Sequence, residues 1–456
     1  MFIDRTHELA ALRDVADRAP ALVVVSGRRR VGKSALLDAA FEGRRLLSFQ
    51  ADEQDERGQL ELLAEEASRL LASRPPLRFD DWPAAIRFID AQAADEALVV
   101  VFDEFQWLCA AQRALPSMLQ RAWDGWQRRR VPVVLVLAGS ALSFMDGLLA
   151  HGSPLYGRAT LRPRVEPLDY RDAALFVPAL KAEAAIRRFA VLGGTPQYQV
   201  WAGSLPLARI IRERILERGA PMYEEPLHLL RQGEGVRTPA TYLSVLRVIA
   251  AGATQHNEIA TKTTLSTANL SEKLARLREL GYVRVREPTG PAESPARGTY
   301  ELADPFFRFW FRYVFPRRSR LERGLVEEVY REIDADLDNL MGSVFEECCR
   351  IWAGSSVGAK RLGEVDEIGA WMSRDGQTEI DVVGVRRGRY ELVGSCKWTR
   401  QADERVLDEL IDARDRMGKA SRARLVVFAR EGFTDALLSR AAEEDVQLVT
   451  LADLFE

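Results

Sequence analysis

The sequence predicts an α/β protein whose N-terminal part is built on an open parallel sheet. Continuous apolar runs, as expected of strands in the centre of such a sheet, alternate with helical patterns. Polar residues follow these runs at the carboxyl ends of the strands, where open α/β sheets bind ligands. The runs are Leu22–Val25, Ala97–Phe102 and Val131–Ala138, with Leu46–Phe49 as a further strand.

Length and composition exclude several classes of protein. The chain has 456 residues, which predicts about three domains. Its net charge is −3, so binding to nucleic acid needs a local basic patch. The four cysteines form no C-x-x-C pair and there are only four histidines, which argues against a structural zinc site. Few cysteines and no signal-peptide pattern predict a cytoplasmic protein, and the apolar runs are too short to span a bilayer.

The first strand leads into a phosphate-binding loop. Gly27-x4-Gly32-Lys33-Ser34 fits the Walker A pattern at every position, and a helical pattern from Ser34 to Phe41 follows it. Backbone N–H groups and the helix N-terminus would surround phosphates, Lys33 would reach the β- and γ-phosphates, and Ser34 would ligate Mg²⁺. ATP and Mg²⁺ are therefore the predicted ligands. The predicted contacts are Gly27, Arg28, Arg29, Arg30, Val31, Gly32, Lys33, Ser34 and Ala35.

The apolar run Ala97–Phe102 leads into Asp103-Glu104, the Walker B arrangement. A carboxylate at this strand end is suited to the Mg²⁺ hydration shell, and we assign it to Asp103. Glu104 is the predicted general base that polarises the attacking water. Ser140 follows the next strand and is interpreted either as a sensor of the γ-phosphate or as a simple helix N-cap. Arg158 is a candidate for neutralising the transferred phosphoryl group, in cis or from another subunit, with a solvated surface arginine as the alternative.

Several phrases in the first half occur in a familiar order. They are Phe2–Leu9, the two Walker motifs, Ala-Gly-Ser140, Pro-Leu-Tyr-Gly-Arg158 and Gly-Gly-Thr-Pro196-Gln-Tyr198. In these phrases the chain resembles the archaeal-type ATPases of the STAND branch of AAA+ proteins. The resemblance implies a nucleotide-controlled switch with a helical lid, in which the element ending at Pro196 lies near the nucleotide. The predicted domains are an ATPase core (1–175), a lid (176–235), a winged helix (236–315) and a C-terminal domain (316–456).

The winged helix is predicted from three short helical patterns followed by a hairpin. The third helix, Ser266–Gly281, would enter the major groove if the module binds DNA. The residues predicted to contact nucleic acid are Thr267, Asn269, Lys273, Arg276, Arg284 and Arg286. Packing or protein interaction is the alternative use of such a module. The aromatic stretch 304–313 that follows is interpreted as a buried anchor rather than a base-stacking platform.

The C-terminal part has the order α-β-β-β-α-β and looks like a PD-(D/E)xK, restriction-endonuclease-like domain. The resemblance assigns metal-binding or catalytic roles to Glu346, Asp381 and Lys397 and requires an acidic residue at position 395. Position 395 is serine, so the predicted metal cage lacks one negative charge and metal affinity should fall. We therefore expect a degenerate domain that binds nucleic acid or a partner, with at most a weak second metal site.

Together these features predict an ATP-binding, ATP-hydrolysing switch that controls the winged helix and the degenerate nuclease-like module on DNA. An ATP-dependent metal nuclease and a protein-interaction ATPase without nucleic-acid contact are the two alternatives. A protein partner and a homo-oligomer stay open.

Overall fold

The computed structural model describes residues 3–233, 236, 238–290, 298–373, 376–418, 420 and 422–456. These residues form two compact units. Unit 1 runs to Pro167 and includes Thr195–Gln197, whereas unit 2 comprises Leu168–Gly194 and Tyr198–Glu456. The division into four domains stays a prediction. Within the described ranges, no helix is long and apolar enough to cross a membrane.

Unit 1 contains a four-stranded parallel sheet in the order β1-β4-β3-β2. Every residue of β1, β3 and β4 is buried, as the continuous apolar runs predict. Alternate side chains point to opposite faces, so Leu22 and Val24 join one apolar core and Val23 and Val25 the other. The strands are β1 (Ala21–Ser26), β2 (Leu46–Gln50), β3 (Leu98–Asp103) and β4 (Val133–Gly139).

Seven helices accompany this sheet in the described part of unit 1. Two of them, between β3 and β4, are absent from the sequence-based prediction. The helix that begins at Glu56 is capped by Asp55, whose side chain accepts a hydrogen bond from the Gly58 N–H. The helices are α1 (Thr6–Asp17), α2 (Lys33–Ala40), α3 (Glu56–Leu70), α4 (Trp82–Asp95), α5 (Phe105–Ala111), α6 (Leu115–Arg129) and α7 (Leu142–Gly147).

Unit 2 begins with a helical region. It consists of α8 (Tyr170–Ala174), α9 (Ala182–Leu192), α10 (Pro196–Ala202), whose first two residues belong to unit 1, α11 (Leu207–Arg209), the π-helix Ile210–Leu216 and α12 (Glu225–Arg231). Three helices and an antiparallel hairpin follow, the order predicted for a winged helix. They are α13 (Pro239–Ala250), α14 (His256–Thr263), α15 (Thr267–Glu279), β5 (Val283–Arg286) and β6 (Thr299–Leu302). We call β5, β6 and residues 287–290 the wing.

The aromatic stretch after the wing is buried, which confirms its interpretation as an anchor. The rings of Phe306, Phe309 and Trp310 are fully excluded from solvent, so they present no surface for stacking bases. The helical elements here are α16 (Pro305–Phe309), the π-helix Trp310–Val314, the 3₁₀ turn Phe315–Arg317, α17 (Arg318–Glu322) and the long α18 (Val326–Ala353).

The C-terminal part of unit 2 is a mixed five-stranded sheet in the order β13-β11-β9-β8-β7. The strands β13, β11 and β9 are parallel, whereas β9, β8 and β7 are antiparallel. Its elements are α19 (Ser356–Leu362), β7 (Glu367–Met372), β8 (Glu379–Arg386), β9 (Arg389–Lys397), β10 (Gln401–Ala402), α20 (Glu404–Arg416), β11 (Arg424–Ala429), β12 (Gly432–Phe433), α21 (Asp435–Glu443), β13 (Gln447–Thr450) and the 3₁₀ turn Asp453–Phe455. This arrangement places β7 at the edge of the sheet.

The core of unit 1 yields a stability prediction at Trp82. Its ring is 1% exposed and packs edge-on against Phe102 of β3, at a centroid distance of 6.1 Å. We expect Trp82→Ala to reduce the free energy of unfolding by about 3–5 kcal/mol because it leaves a cavity. Urea unfolding measures the change. The control is Leu71→Ala, at a side chain that is 37% exposed, and a loss as small as that of the control would contradict the assignment of Trp82 to the core.

Candidate functional site

The phosphate loop connects β1 to α2 at the carboxyl end of the sheet. Gly27 has no room for a side chain, because a Cβ there would lie 2.5 Å from the carbonyl oxygen of Val165. Gly32, the second glycine of the motif, lies beside the element that ends at Pro196. A Cβ on Gly32 would be 3.8 Å from Cγ of Pro196. Pro196 therefore borders the loop, and Ala35 lies exposed in the first turn of α2.

Lys33 is buried at the base of the loop, with 6% of its surface exposed. Its Nζ donates hydrogen bonds to the carbonyl oxygens of Gly27 (2.9 Å) and Arg28 (3.3 Å). Burial lowers the pKa of Lys33, while the charges of Glu104 and Asp103 oppose that shift. The ammonium group thus lies within the loop and beside both predicted acidic residues.

Asp103 joins the loop to β3. Its Oδ2 accepts a hydrogen bond of 2.6 Å from the Ser34 hydroxyl, and its Oδ1 accepts one of 2.9 Å from the Glu104 N–H. Hydroxyl and carboxylate oxygens are the ligands that Mg²⁺ prefers. The two predicted Mg²⁺ ligands, Ser34 and Asp103, are therefore adjacent, and their chemistry fits the ion.

Glu104 is held by neighbours on two other segments. Its Oε2 accepts a hydrogen bond of 2.5 Å from the Ser140 hydroxyl and another from Nε2 of Gln106. Burial raises the pKa of Glu104, but the charge of Lys33 and these hydrogen bonds outweigh it, so the pKa lies below its usual value. Glu104 is thus charged and restrained.

Ser140 lies beside Glu104, and its role as a sensor of the γ-phosphate stays a prediction. Its hydroxyl donates to the carboxylate of Glu104, and the N-cap of the following helix is Ala141 rather than Ser140. Nε of Arg29 lies 3.5 Å from the same hydroxyl. Ser140 therefore acts on Glu104 in this structure, and Arg29 belongs to the same group of side chains.

Arg158 does not lie at the loop. Leu161, three residues later, pairs with Val23 near the start of β1, whereas the loop begins beyond the end of that strand. From Leu22 to Ser26 the strand rises about 13 Å, so the two ends of the sheet are well separated. The guanidinium binds Asp124 on α6 through two hydrogen bonds of 2.8 and 3.0 Å. The predicted role of Arg158 in cis is therefore corrected, because this residue and the phosphate loop lie near opposite ends of β1.

Two residues of the site were missed by the sequence analysis. Gln106 is one, and its spacing of two residues from Glu104 was the available signal. Arg5 is the other: it is 6% exposed, and its Nη2 donates to the carbonyl oxygens of Val31 (2.8 Å) and Glu166 (2.7 Å). A charged residue inside the Phe2–Leu9 phrase was its signal. Arg5 joins the loop to the segment that also closes over Gly27.

In unit 2, Glu346 and Asp381 lie near each other. Burial and the charge of Asp381 raise the pKa of Glu346. Oδ2 of Asp381 accepts hydrogen bonds from the Cys396 N–H (2.7 Å) and the Ser395 hydroxyl (3.3 Å). Ser395 therefore occupies the expected position but donates to Asp381 instead of adding a carboxylate.

Basic groups surround the same cluster. Nη1 of Arg350 donates to the carbonyl oxygen of Asp381 (2.7 Å) and lies 3.7 Å from Glu346, while Nζ of Lys397 is 3.5 Å from Glu409. Within the described ranges, no group of three acidic, cysteine or histidine side chains is arranged to hold a metal ion. The side chains as placed do not fit the predicted second metal site.

The predicted nucleic-acid residues divide into two groups. Thr267 and Asn269 are exposed on the N-terminal half of α15. The four basic residues instead contact acidic side chains: Lys273 with Glu272, Arg276 with Glu279, Arg284 with Glu301 and Glu347, and Arg286 with Glu379. Both Arg284 and Arg286 are already paired, so their contact with phosphates stays a prediction and requires these ion pairs to open.

Arg5 yields a prediction on nucleotide affinity. Arg5→Gln shortens the side chain and removes its charge, so the hydrogen bond that holds the Val31 carbonyl is weakened. We expect affinity for ATP to fall about tenfold, since a charged hydrogen bond contributes about 1.5 kcal/mol or more. Calorimetry measures the affinity for ATP. The control is Arg18→Gln, at a surface arginine whose side chain is 77% exposed. Equal affinities in the two variants would contradict a role for Arg5 in the loop.

Ser140 yields a prediction on pH dependence. Its hydrogen bond favours the charged form of Glu104, so Ser140→Ala should raise the pKa of Glu104. If Glu104 acts as the base, the acidic limb of the rate of ATP hydrolysis against pH shifts to higher pH. The control is Ser48→Ala, an exposed position on β2. An unshifted acidic limb would show that Ser140 does not tune the base.

Comparisons with known proteins agree with the geometry of unit 1. Residues 2–198 match the model of an "ATPase domain predominantly from Archaea", and residues 310–407 match that of "Archaea bacterial proteins of unknown function". An uncharacterized protein of Methanocaldococcus jannaschii is 27% identical over 415 residues, covering 89% of each chain. The Walker-type ATPase of Pyrococcus abyssi is similar in fold, with a TM-score of 0.53, 21% identity, and coverage of 68% of this chain and 96% of that one. The chain thus carries an archaeal-type P-loop ATPase domain and, towards its C-terminus, a domain shared with proteins of unknown function.

Proposed function

We propose that the protein binds and hydrolyses ATP and that its nucleotide state controls binding to DNA through α15. The observation that carries the ATPase part is the 2.6 Å hydrogen bond between the Ser34 hydroxyl and Asp103, beside the buried Lys33. A phosphate loop, its lysine and the acidic end of β3 are thereby assembled in one place. These are the parts that phosphoryl transfer to water requires.

Each residue has a chemical role in hydrolysis. Lys33 neutralises charge on the β- and γ-phosphates, for which it must exchange its contact with the Gly27 carbonyl. Glu104 takes a proton from the attacking water as the new O–P bond forms and the bond from the γ-phosphorus to the leaving oxygen breaks. Ser34 and Asp103 would hold Mg²⁺, which would supply positive charge to polarise the phosphate. Ser140 binds Oε2 of Glu104 and so restrains the position of this carboxylate.

The N-terminal half of α15 is the surface we assign to DNA. Thr267, Asn269 and Ser271 are exposed there, and their hydroxyl and amide groups are able to bond with base edges or phosphates. Their lack of charge suits a helix on which Lys273 and Arg276 already pair with Glu272 and Glu279. The module would then depend on shape and neutral hydrogen bonds more than on charge, in keeping with the net charge of −3.

A protein-interaction ATPase is the second candidate, favoured by the ion pairs of the wing arginines with Glu347 and Glu379. With both arginines paired, the electrostatic term that dominates DNA affinity is weakened. The nuclease alternative is disfavoured, since Ser395 donates to Asp381 and Arg350 lies beside Glu346. A metal nuclease would need those carboxylates to be free to coordinate cations.

DNA affinity in the two nucleotide states tests this proposal. At fixed low salt, we expect affinity for a labelled duplex to differ several-fold between ADP and a non-hydrolysable ATP analogue, because the nucleotide shifts the population of binding-competent states. Lys33→Ala is the control that should abolish the difference. Asn269→Ala should weaken binding in both states, since it alters the contact surface itself.

Two outcomes would contradict the proposal in different ways. Equal affinities with the two nucleotides would remove the switch but leave DNA binding. No binding above background at low salt, where phosphate contacts are strongest, would favour the protein-interaction alternative.

A further inference from the structure

Both wing arginines point towards the C-terminal part of unit 2. Arg284 donates from Nη1 to Oε1 of Glu347 on α18 (3.0 Å) and from Nε to Glu301 on β6. The other carboxylate oxygen of Glu347 accepts from Arg308. Glu347 is 13% exposed, so its charge depends on these two arginines. The contact between Arg284 on β5 and Glu347 on α18 therefore anchors the wing firmly.

The other end of β5 makes a more exposed contact. Nη2 of Arg286 donates to Oε1 of Glu379 on β8 at 2.8 Å, and the two side chains are 26% and 47% exposed. Glu379 lies two residues before Asp381, on the same face of the strand. Arg286 thus places a positive charge beside Glu379 of the C-terminal domain.

The stem of the wing lies against the edge strand of the same domain. The N–H of Thr289 donates to the carbonyl oxygen of Ala370 on β7 at 2.8 Å. At Gly369 the approach is so close that a Cβ would lie 2.0 Å from the Thr289 hydroxyl oxygen. This contact occupies an edge that would otherwise offer free backbone groups. Two ion pairs and a backbone hydrogen bond therefore hold the wing against the C-terminal domain.

We propose that the wing is a closed strap, held by Glu347 and Glu379 of the C-terminal domain, that withholds Arg284 and Arg286 from nucleic-acid phosphates. The strap has an anchored end, at Glu347, and a releasable end, from Arg286 to Thr289. Glu347 is the anchor because separating its arginines would leave a mostly buried charge unpaired. Arg286 and Glu379 remain partly hydrated when apart, so their separation costs less.

Opening the releasable end exchanges one partner of Arg286 for another. A phosphate offers the same charge-assisted hydrogen bonds as Glu379, so DNA competes directly for the guanidinium. Once this end is open, the charge of Glu379 beside Asp381 also repels those phosphates. Neutralising Glu379 therefore releases Arg286 and removes that repulsion. Only this competition rests on the proposed function; the closed contact is independent of it.

Hydrogen exchange of the full-length chain tests the closed contact without DNA. Glu379→Gln keeps the shape of the side chain but removes the charge that pairs with Arg286. We expect the amide of Thr289 to exchange several-fold faster in this variant, because its bond to Ala370 opens more often. The matched control is Glu364→Gln, which neutralises another exposed ion pair, with Arg386, in the same domain. Unchanged exchange at Thr289 in Glu379→Gln would overturn the strap.

Binding of a labelled duplex at low salt tests the competition. We expect Glu379→Gln to bind several-fold more tightly than the wild-type chain and the Glu364→Gln control. Adding Arg286→Gln should remove the gain, since the released guanidinium is its source. Faster exchange with an unchanged DNA affinity would overturn the claim that the strap withholds arginines. Absence of DNA binding in every variant would instead refute the proposed DNA function, and the exchange result would still decide whether the wing is held closed.

Discussion

The hydrogen bond between the Ser34 hydroxyl and Asp103 is the interaction on which the nucleotide site depends. It joins the start of α2, which follows β1, to the end of β3. The strands β1 and β3 are not neighbours, because β4 lies between them. Parallel registers align the three carboxyl ends: Ser26 pairs with Gly139, and Phe102 with Leu137. The loop therefore crosses the end of β4 to reach the acidic residue. A shift of register in either strand pair would separate the hydroxyl from the carboxylate.

A second constraint follows from burying charge beside this bond. Lys33 loses hydration on burial, and the two acidic residues next to it compensate for part of that loss. Glu104 is in turn stabilised in its charged form by Lys33 and by hydrogen bonds from Ser140 and Gln106. Glu104 is thus charged and restrained in position. Any change that moves Ser140, whose neighbour on the loop is Arg29, would also alter the surroundings of Glu104.

In unit 2 a buried negative charge is stabilised by positive neighbours, the reverse of the situation at Lys33. Glu347 is mostly buried, and Arg284 and Arg308 hold its pKa at about 2 against the effect of burial. A carboxylate on α18 thereby organises the wing, which the sequence alone presents as a basic strand ready for DNA. The difference matters for function, because a paired arginine adds little to the attraction of phosphates. The positive charge that the wing offers to phosphates consequently depends on the ion pairs of Arg284 and Arg286, and not on the number of basic residues in its sequence.

The sequence by itself determined the elements whose chemistry is local. The loop Gly27–Ser34 and the pair Asp103-Glu104 follow from short motifs and from apolar runs that must be buried, and the aromatic stretch after the wing follows from the same rule. Only the tertiary structure decided the partners of long polar side chains. Arg158 is directed to Asp124, Arg286 to Glu379, and Ser140 to Glu104. The physical reason is that a pattern along the chain specifies which face of a strand or helix is buried, whereas an ion pair depends on which distant residue the packing brings within about 3 Å.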